Sequence, residues 1–365
     1  MKATKRRMPA EWEKQSAVQL TWPHKGTDWA PMLPEITAIY EQIAREISKR
    51  EGLIIVVPEG MAQPIADCQL SIINSNDTWA RDHGFITVFE EESSPSSLHP
   101  SSPTLHLLDF KFNGWGEKFE ASLDNAINRQ LYERMAAANS KLYTQNSKLI
   151  EYEPHLDFVL EGGSIESDGK GTVFTTTCCL MAPRRNQPLT QQQIEERLKE
   201  YLGAERIIWL NHGSLVGDDT DGHIDTMVRI CPNDTLLYIG CDDKDDEQYE
   251  ELRLMEEELK TLRTLDGKPY RLLALPSPRP IYDGEADSSP FTLHASLKDR
   301  LPATYANFLV INGAVLVPTY AQPDLDAEAM RIIQQAFPDR DIIGIDCRPV
   351  IRQHGSLHCC TMQYY

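Results

Sequence analysis

The sequence predicts an α/β protein built from about five ββαβ-like units set in a closed ring. Three observations predict it. An order of strand, strand, helix, strand recurs along the chain. Hairpin signals join the paired strands, the strongest being Asn312-Gly313 between "YANFLVI" and "AVLVPTY". Each unit can bury its apolar face only against its neighbours, which favours a closed array. A doubly wound parallel sheet is the rival. It demands strict strand–helix alternation, and the hairpins break that alternation.

The elements follow in order. "LPEITAIYEQIAREIS" places Ile36, Ile39, Tyr40, Ile43 and Ile47 on one helical face, with Pro34 at the entrance, and "LIIVVP" is the strand after it. The next unit, residues 85–150, is interrupted by "EEESSPSSLHPSSPT". The pattern resumes beyond this Ser/Pro run, so it reads as a surface insertion and not a domain linker. "SIESDGKGTVFTTTCCL" reads as two strands joined by a glycine-containing turn at residues 168–171. "LTQQQIEERLKEYLG" is a helix closed by Gly203, and "ERIIWL" is a strand. "HIDTMVRI" and "TLLYIG" flank a Pro-Asn-Asp turn, before the helix "EQYEELRLMEEELKTLRTL" and the strand "YRLLALP". The last unit adds the helix "LDAEAMRIIQQAF" and the strand "DIIGIDC" to its hairpin. If the ring closes, the first unit shares a strand with the last. All of this reads as one domain over residues 1–365.

Composition narrows the function. Hydrophobic residues make up 41% and charged residues 25%, the balance of a soluble globular chain. The 36 Lys and Arg against 55 Asp and Glu give a net charge of −19, which disfavours a nucleic-acid surface. An acidic cleft would concentrate a cationic substrate, although the charge could serve solubility alone. "MKATKRRMPAEWEKQ" has no apolar run behind its basic residues and is not a signal peptide. No stretch approaches the ~18 apolar residues of a membrane span. None of the eight cysteines forms a CxxC pair, so neither a zinc site nor a disulfide framework is expected. These features point to a non-metal protein of the reducing cytoplasm.

Four short segments carry polar residues that ordinary loops do not need: "NDTWARDHG", "EGGSIE" from Glu161, "GDDTDGHID" and the C-terminal "HGSLHCCTMQYY". On a strand, His223 and Asp225 would share a face. A thiolate is a strong nucleophile near neutral pH, and a histidine can shuttle protons. Paired carboxylates would oppose an oxyanion, but they grip a planar guanidinium through bidentate hydrogen bonds. Cys, His and two Asp together therefore point to attack on a guanidinium carbon. Plainer readings stand beside this one. The cysteines could be buried packing, Trp79 and Trp115 core aromatics, and Glu161-Gly162-Gly163 a tight turn. The Asp-rich stretch lacks the spacing of an EF-hand loop.

Taken together, "RMPAEWE", "TWPH", "NDTWARDHG", "EGGSIESDGKGT", "DDTDGHIDT" and "GSLHCCTMQ" resemble the motifs of the agmatine deiminase and bacterial peptidylarginine deiminase family. The resemblance runs from about residue 7 to the C-terminus. It implies the pentein fold, a five-bladed α/β-propeller of ββαβ-type units with pseudo-fivefold symmetry. It implies Cys359 as nucleophile, His223 as proton shuttle, and Asp82 and Asp225 as guanidinium-binding carboxylates. It puts Trp79 beside Asp82 in one motif, makes Trp115 an aromatic wall and gives Glu161 a supporting role. Asp219 and Asn312 are further candidates for substrate contact. The implied reaction passes through a covalent thiouronium on Cys359 and needs no metal or organic cofactor. The implied partner is a small cationic guanidino compound, foremost agmatine, converted to N-carbamoylputrescine and ammonia. Nucleic acid and membrane are not expected partners, and a homo-oligomer is compatible. Free arginine, peptidyl arginine and amidino transfer remain open. A pentein without catalysis, binding a cationic ligand or a partner protein, is the reading of another class. The presence of all four key residues favours the enzyme.

Overall fold

Each repeat grows from an antiparallel pair of strands. In the last one, Leu309–Ile311 and Ala314–Thr319 pair antiparallel, and Gly313 between them takes a φ of 78°, a conformation glycine adopts without a Cβ clash. The helix Pro323–Ala336 then carries the chain back, and Asp341–Asp346 lies parallel to Ala314–Thr319. The computed structural model describes residues 4–92, 103–138, 149–283 and 300–365, and the same order recurs through them. Ile86–Glu92 and Thr104–Lys111 pair antiparallel, followed by the helix Ile127–Ala138 and the parallel strand Leu149–Val159. Ile165–Ser167, Thr172–Thr176, the helix Gln191–Leu202 and Arg206–Leu210 form the next unit. Val228–Cys231, Thr235–Ile239, the helix Tyr249–Thr261 and Arg271–Leu275 form another.

The fifth sheet joins the two ends of the chain. Thr361–Tyr364 pairs antiparallel with Ala17–Thr21, and Gly52–Val57 follows in parallel after the helix Leu33–Ser48. The first unit thus takes its first strand from the C-terminus, which closes the ring of five ββαβ units. Two sheets carry an extra strand each, Gln69–Ile72 and Thr4–Arg7.

Local chemistry explains the regular parts. Leu33–Ser48 buries Ile36, Tyr40, Ile43, Ala44 and Ile47 on a single stripe. Thr190 and Gln193 form a reciprocal capping box, and Gly203 ends that helix at φ 66°. Ala17–Thr21 is buried throughout although it includes Gln19 and Thr21, and the Tyr364 hydroxyl donates to Gln19 Oε1.

Three expected strands are shorter or absent. Thr177–Leu180 is a helical turn, because the Thr176 hydroxyl accepts the Cys179 N–H and starts a helix. Ile224–Thr226 is a 3₁₀ turn, and the strand begins only at Val228. In "YANFLVI" only Leu309–Ile311 is extended. The Thr304 hydroxyl donates to the Thr226 carbonyl and the Asn307 amide donates to the Asp225 carbonyl, so these side chains hold the first residues to another unit. Most of the Ser/Pro run, residues 93–102, lies outside the described residues.

The C-terminal strand is fully buried, and the Tyr364 hydroxyl donates to Gln19 Oε1 at 2.6 Å. Deleting residues 360–365 removes the closing strand and bares the edge of Ala17–Thr21. The truncated chain is expected to lose its cooperative thermal transition. An unchanged melting curve would show that the ring does not need this strand.

Candidate active site

Trp79, Asp82, Trp115, Asp219 and Cys359 line one cavity of about 250 Å³, together with Asp28, Asp77 and Phe119. Asp82 and Cys359 on its wall, and His223 and Asp225 buried outside the lining, come from separate segments. Asp82 sits in the helical turn Ala80–His83, Asp225 in the turn Ile224–Thr226, and Cys359 in the turn His358–Cys360.

Asp82 is buried. Its Oδ2 accepts the Trp115 indole N–H at 3.0 Å and its Oδ1 the Gly163 amide at 3.1 Å. Among the described residues no lysine or arginine pairs with it. Burial pushes this carboxyl well above its ordinary range, and the nearby charges of Asp225 and Glu161 push further. Asp225 is equally buried but shifts the other way. Burial raises it, but the hydrogen bond from His358 and the attraction of His358 and His223 carry it below the usual value. Its Oδ2 lies 2.7 Å from His358 Nδ1, and its Oδ1 has no partner. Two neighbouring carboxyls with opposite shifts are poised to share a cation.

His223 lies with Nδ1 3.6 Å from Asp82 Oδ1. Burial lowers it to about 3, so it is neutral, and neither ring nitrogen has a hydrogen-bond partner. Burial also holds the Cys359 thiol well above its usual value, with Asp225 and Asp82 adding to the effect. A cation placed between these groups would stabilise the charged forms of Asp82 and Cys359 and offer partners to the orphaned atoms of Asp225 and His223. Gly163 makes the close approach feasible: a Cβ there would sit 2.6 Å from His223 Nδ1 and 3.0 Å from Asp82 Oδ1.

The two adjacent cysteines separate because of a turn, not because of strand alternation. Cys359 lines the cavity, whereas Cys360 is buried with its Sγ 3.4 Å from the Ser356 carbonyl and beside Tyr40. Likewise His223 and Asp225 meet through the turn Ile224–Thr226 and not as alternate residues of a strand.

The aromatic wall is strained. Gly114, Trp115, Gly116 and Glu117 have φ of 66°, 56°, 85° and 65°. A left-handed backbone costs an L-residue about 1–2 kcal/mol, so Trp115 and Glu117 need compensation. The Trp115–Asp82 hydrogen bond and the Asn113 side chain, which accepts the Gly116 amide at 3.0 Å, supply it. Trp79 packs against Gly355, where a Cβ would fall 2.2 Å from the indole.

Other expected residues lie elsewhere. Glu161 is buried outside the cavity lining, with Oε1 accepting from Arg185 Nε at 2.8 Å. Asn312 is not at the cavity, which corrects the expectation of a substrate contact. It occupies the hairpin turn, where its side chain bonds the Gln15 backbone and Glu51. The asparagine at the site is Asn307. Its Oδ1 accepts from the His358 amide at 2.9 Å and lies 3.4 Å and 3.5 Å from the N and Sγ of Cys359. A polar residue inside the apolar run "YANFLVI" was the available signal. Arg81 turns away from the cavity toward Gln363 and Met362.

A ring of five ββαβ units that brings a thiol, an imidazole and two carboxylates together defines an enzyme acting on a guanidino group. The chain belongs to the Porphyromonas-type peptidyl-arginine deiminase family, whose profile matches residues 7–364. It is 31% identical to the agmatine deiminase of Medicago truncatula, over 98% of this chain and 95% of that one. The solved agmatine deiminase of C. jejuni with substrate bound is 34% identical with a TM-score of 0.85, covering 100% of this chain and 98% of that one. A structure from Porphyromonas gingivalis, described provisionally as an arginine deiminase, is 46% identical with a TM-score of 0.82 over 99% and 98% of the two chains.

Two outcomes test the geometry. Gly163→Ala has no backbone obstacle, yet its methyl would push His223 and Asp82 apart. A displacement of about 1 Å at such a site costs on the order of a hundredfold in rate. We expect that loss with a nearly unchanged melting temperature; full activity would place the reacting groups elsewhere. Cys359→Ser is expected to abolish turnover and Cys360→Ser to retain most of it, as read by ammonia release and by the site of a covalent guanidine-type inhibitor in mass spectra.

Proposed function

We propose that this chain is an agmatine deiminase, converting agmatine and water to N-carbamoylputrescine and ammonia. The observation that carries the substrate is the acidity of the cavity. Asp28, Asp77, Asp82 and Asp219 line it, and no lysine or arginine does so among the described residues. Agmatine offers a cation at each end. Arginine would bring a carboxylate that needs a fixed cation or several donors. Trp79, Trp115 and Phe119 suit a cationic chain through their ring faces. Asp77 is pushed up to about 7 by burial, a value that an incoming ammonium would lower.

In the proposed reaction Asp82 and Asp225 receive the guanidinium by charge-assisted hydrogen bonds. Cys359 passes its thiol proton to His223, and the sulfur bonds to the guanidinium carbon. The C–N bond breaks as His223 returns the proton to the departing ammonia, leaving a thiouronium on sulfur. Water then attacks that carbon while His223 takes its proton. The C–S bond breaks, and the ureido product leaves with the thiolate restored. Asn307, His358 and Arg185 are positioning residues in this scheme.

We place this single-domain enzyme in the cytosol, a reading supported by eight cysteines with no disulfide among them. Among the described residues no helix is long and apolar enough to cross a membrane. N-carbamoylputrescine yields putrescine on losing its carbamoyl group, so the reaction would feed polyamine synthesis.

The proton balance of binding gives one test. Burial raises Asp82 above its ordinary range and pushes Asp77 up to about 7, and an incoming dication would lower both. Binding of agmatine to the Cys359→Ala protein at about pH 6 should therefore release protons, seen by titration calorimetry in buffers of different ionisation enthalpy. Uptake, or no exchange, would count against these buried carboxyls receiving the two cationic ends of agmatine.

Substrate choice gives another. Ammonia release from agmatine, arginine, blocked arginine and methylated guanidines should show kcat/KM for agmatine at least about a hundredfold above arginine, roughly 2.7 kcal/mol in transition-state binding. Equal use, or preference for arginine, would favour the reading that the Porphyromonas gingivalis relative suggests.

A further inference from the structure

Close to Asp82, three side chains from three separate segments converge. Glu161 precedes the turn Gly162–Ser164, Cys179 lies in the turn Thr177–Leu180, and His223 precedes the turn Ile224–Thr226. All three are completely buried. A carboxylate oxygen, the thiol sulfur and an imidazole nitrogen lie within 4.8 Å of one another. Glu161 Oε2 and both His223 ring nitrogens have no hydrogen-bond partner. Buried polar atoms are rarely left so, and here two of them converge with a sulfur. We propose that Glu161, Cys179 and His223 form a binding site for a divalent transition metal ion, Zn²⁺ above all, and that the bound ion inhibits the enzyme by occupying His223.

The donor set selects the metal. One sulfur, one nitrogen and one oxygen suit Zn²⁺, which takes such ligands at roughly 2.0–2.3 Å in a tetrahedral shell with water in the fourth place. Ca²⁺ and Mg²⁺ favour oxygen alone. A tetrahedral shell asks its ligand atoms to stand roughly 3.5 Å apart, so the side chains close by about 1 Å on the ion. Arg185 already fixes the carboxylate through Glu161 Oε1, which leaves Oε2 to the ion. A Cys179 thiolate and the Glu161 carboxylate together match the two charges of the ion, and Arg185 is matched by Asp221 at 2.8 Å.

The inhibition rests on His223 serving as the proton shuttle of the proposed reaction; metal binding does not rest on it.

The test adds Co²⁺ or Zn²⁺ to the full-length protein and follows binding and activity separately. Cys359→Ser, which removes the nucleophile, should still bind one equivalent of Co²⁺ with a sulfur-to-cobalt charge-transfer band. Cys179→Ser should lose that band, keep its turnover, and resist Zn²⁺ by more than the ~10–100-fold in affinity that loss of an outer-shell partner costs. If Cys179→Ser does not fold, X-ray absorption of Zn²⁺ bound to Cys359→Ser still decides, because the proposal requires one sulfur ligand there. A band that persists in Cys179→Ser and disappears in Cys359→Ser would place the ion on the nucleophile and overturn the proposal. So would the absence of a sulfur ligand in the Cys359→Ser protein. Sulfur-ligated binding without inhibition would uphold the site and count against His223 as the shuttle.

Discussion

Arg229 is the hub on which both the closed ring and the reactive cluster depend. It is buried at 1% exposure, yet it carries a charge that must be matched. Its Nη2 donates to Glu11 and its Nε to Glu166, each at 2.5 Å. Its guanidinium also bonds the carbonyls of Ala306 and Phe308 and lies 4.3 Å from the Phe308 ring centroid. Glu11 in turn meets His358 Nε2 at 2.8 Å, and His358 Nδ1 meets Asp225 at 2.7 Å. A carboxylate oxygen thus stands at each ring nitrogen of His358, and Arg229 Nη2 lies 3.2 Å from its Nε2. One chain of charges thus ties the N-terminal segment, two central units and the C-terminal turn to the carboxylate beside Cys359. Removing one member of such a buried network typically costs ~3–5 kcal/mol, a large share of a domain's net stability.

This hub also explains why Asp82 and Asp225 differ. They share a neighbourhood and a degree of burial, but only Asp225 is wired to a cationic network. Asp82 has an indole, an amide and the edge of His223 for company. The asymmetry favours the charged form of Asp225 and leaves Asp82 without a positive partner among the described residues. Burial likewise holds the Cys359 thiol above its usual range, and the charges of Asp225 and Asp82 add to it.

The Trp115 turn belongs to the same logic. Two non-glycine residues in left-handed conformation, Trp115 and Glu117, persist because the indole is tied to Asp82 and the backbone to Asn113. A substrate that takes over Asp82 would alter the bond that offsets this strain. The position of the Trp115 indole and the availability of Asp82 are therefore coupled through one hydrogen bond. Lys118, three residues on, reaches Asp221 at 2.7 Å and ties the same loop to the segment before His223.

The sequence by itself determined what depends on neighbours a few residues apart. The Asn312-Gly313 hairpin, the Thr190 capping box, the Gly203 stop and the apolar stripe of Leu33–Ser48 all arise from local sterics and periodicity. The order of units and the residue types that suit a guanidinium were legible for the same reason. Only the tertiary structure decided which side chains meet. His358 lies 133 positions from Asp225 and 347 from Glu11, so no spacing rule could pair them. Asn307 and Asn312 both interrupt apolar strand sequence, but the hairpin turn claims Asn312 for Gln15 and Glu51 while Asn307 reaches Cys359. The turns at His223 and Cys359 replaced expected strand alternation because hydrogen bonds from distant units outweighed local strand propensity. The meeting of Glu161, Cys179 and His223 has the same origin, since closing a ring of sheets brings loop ends together whatever their separation along the chain.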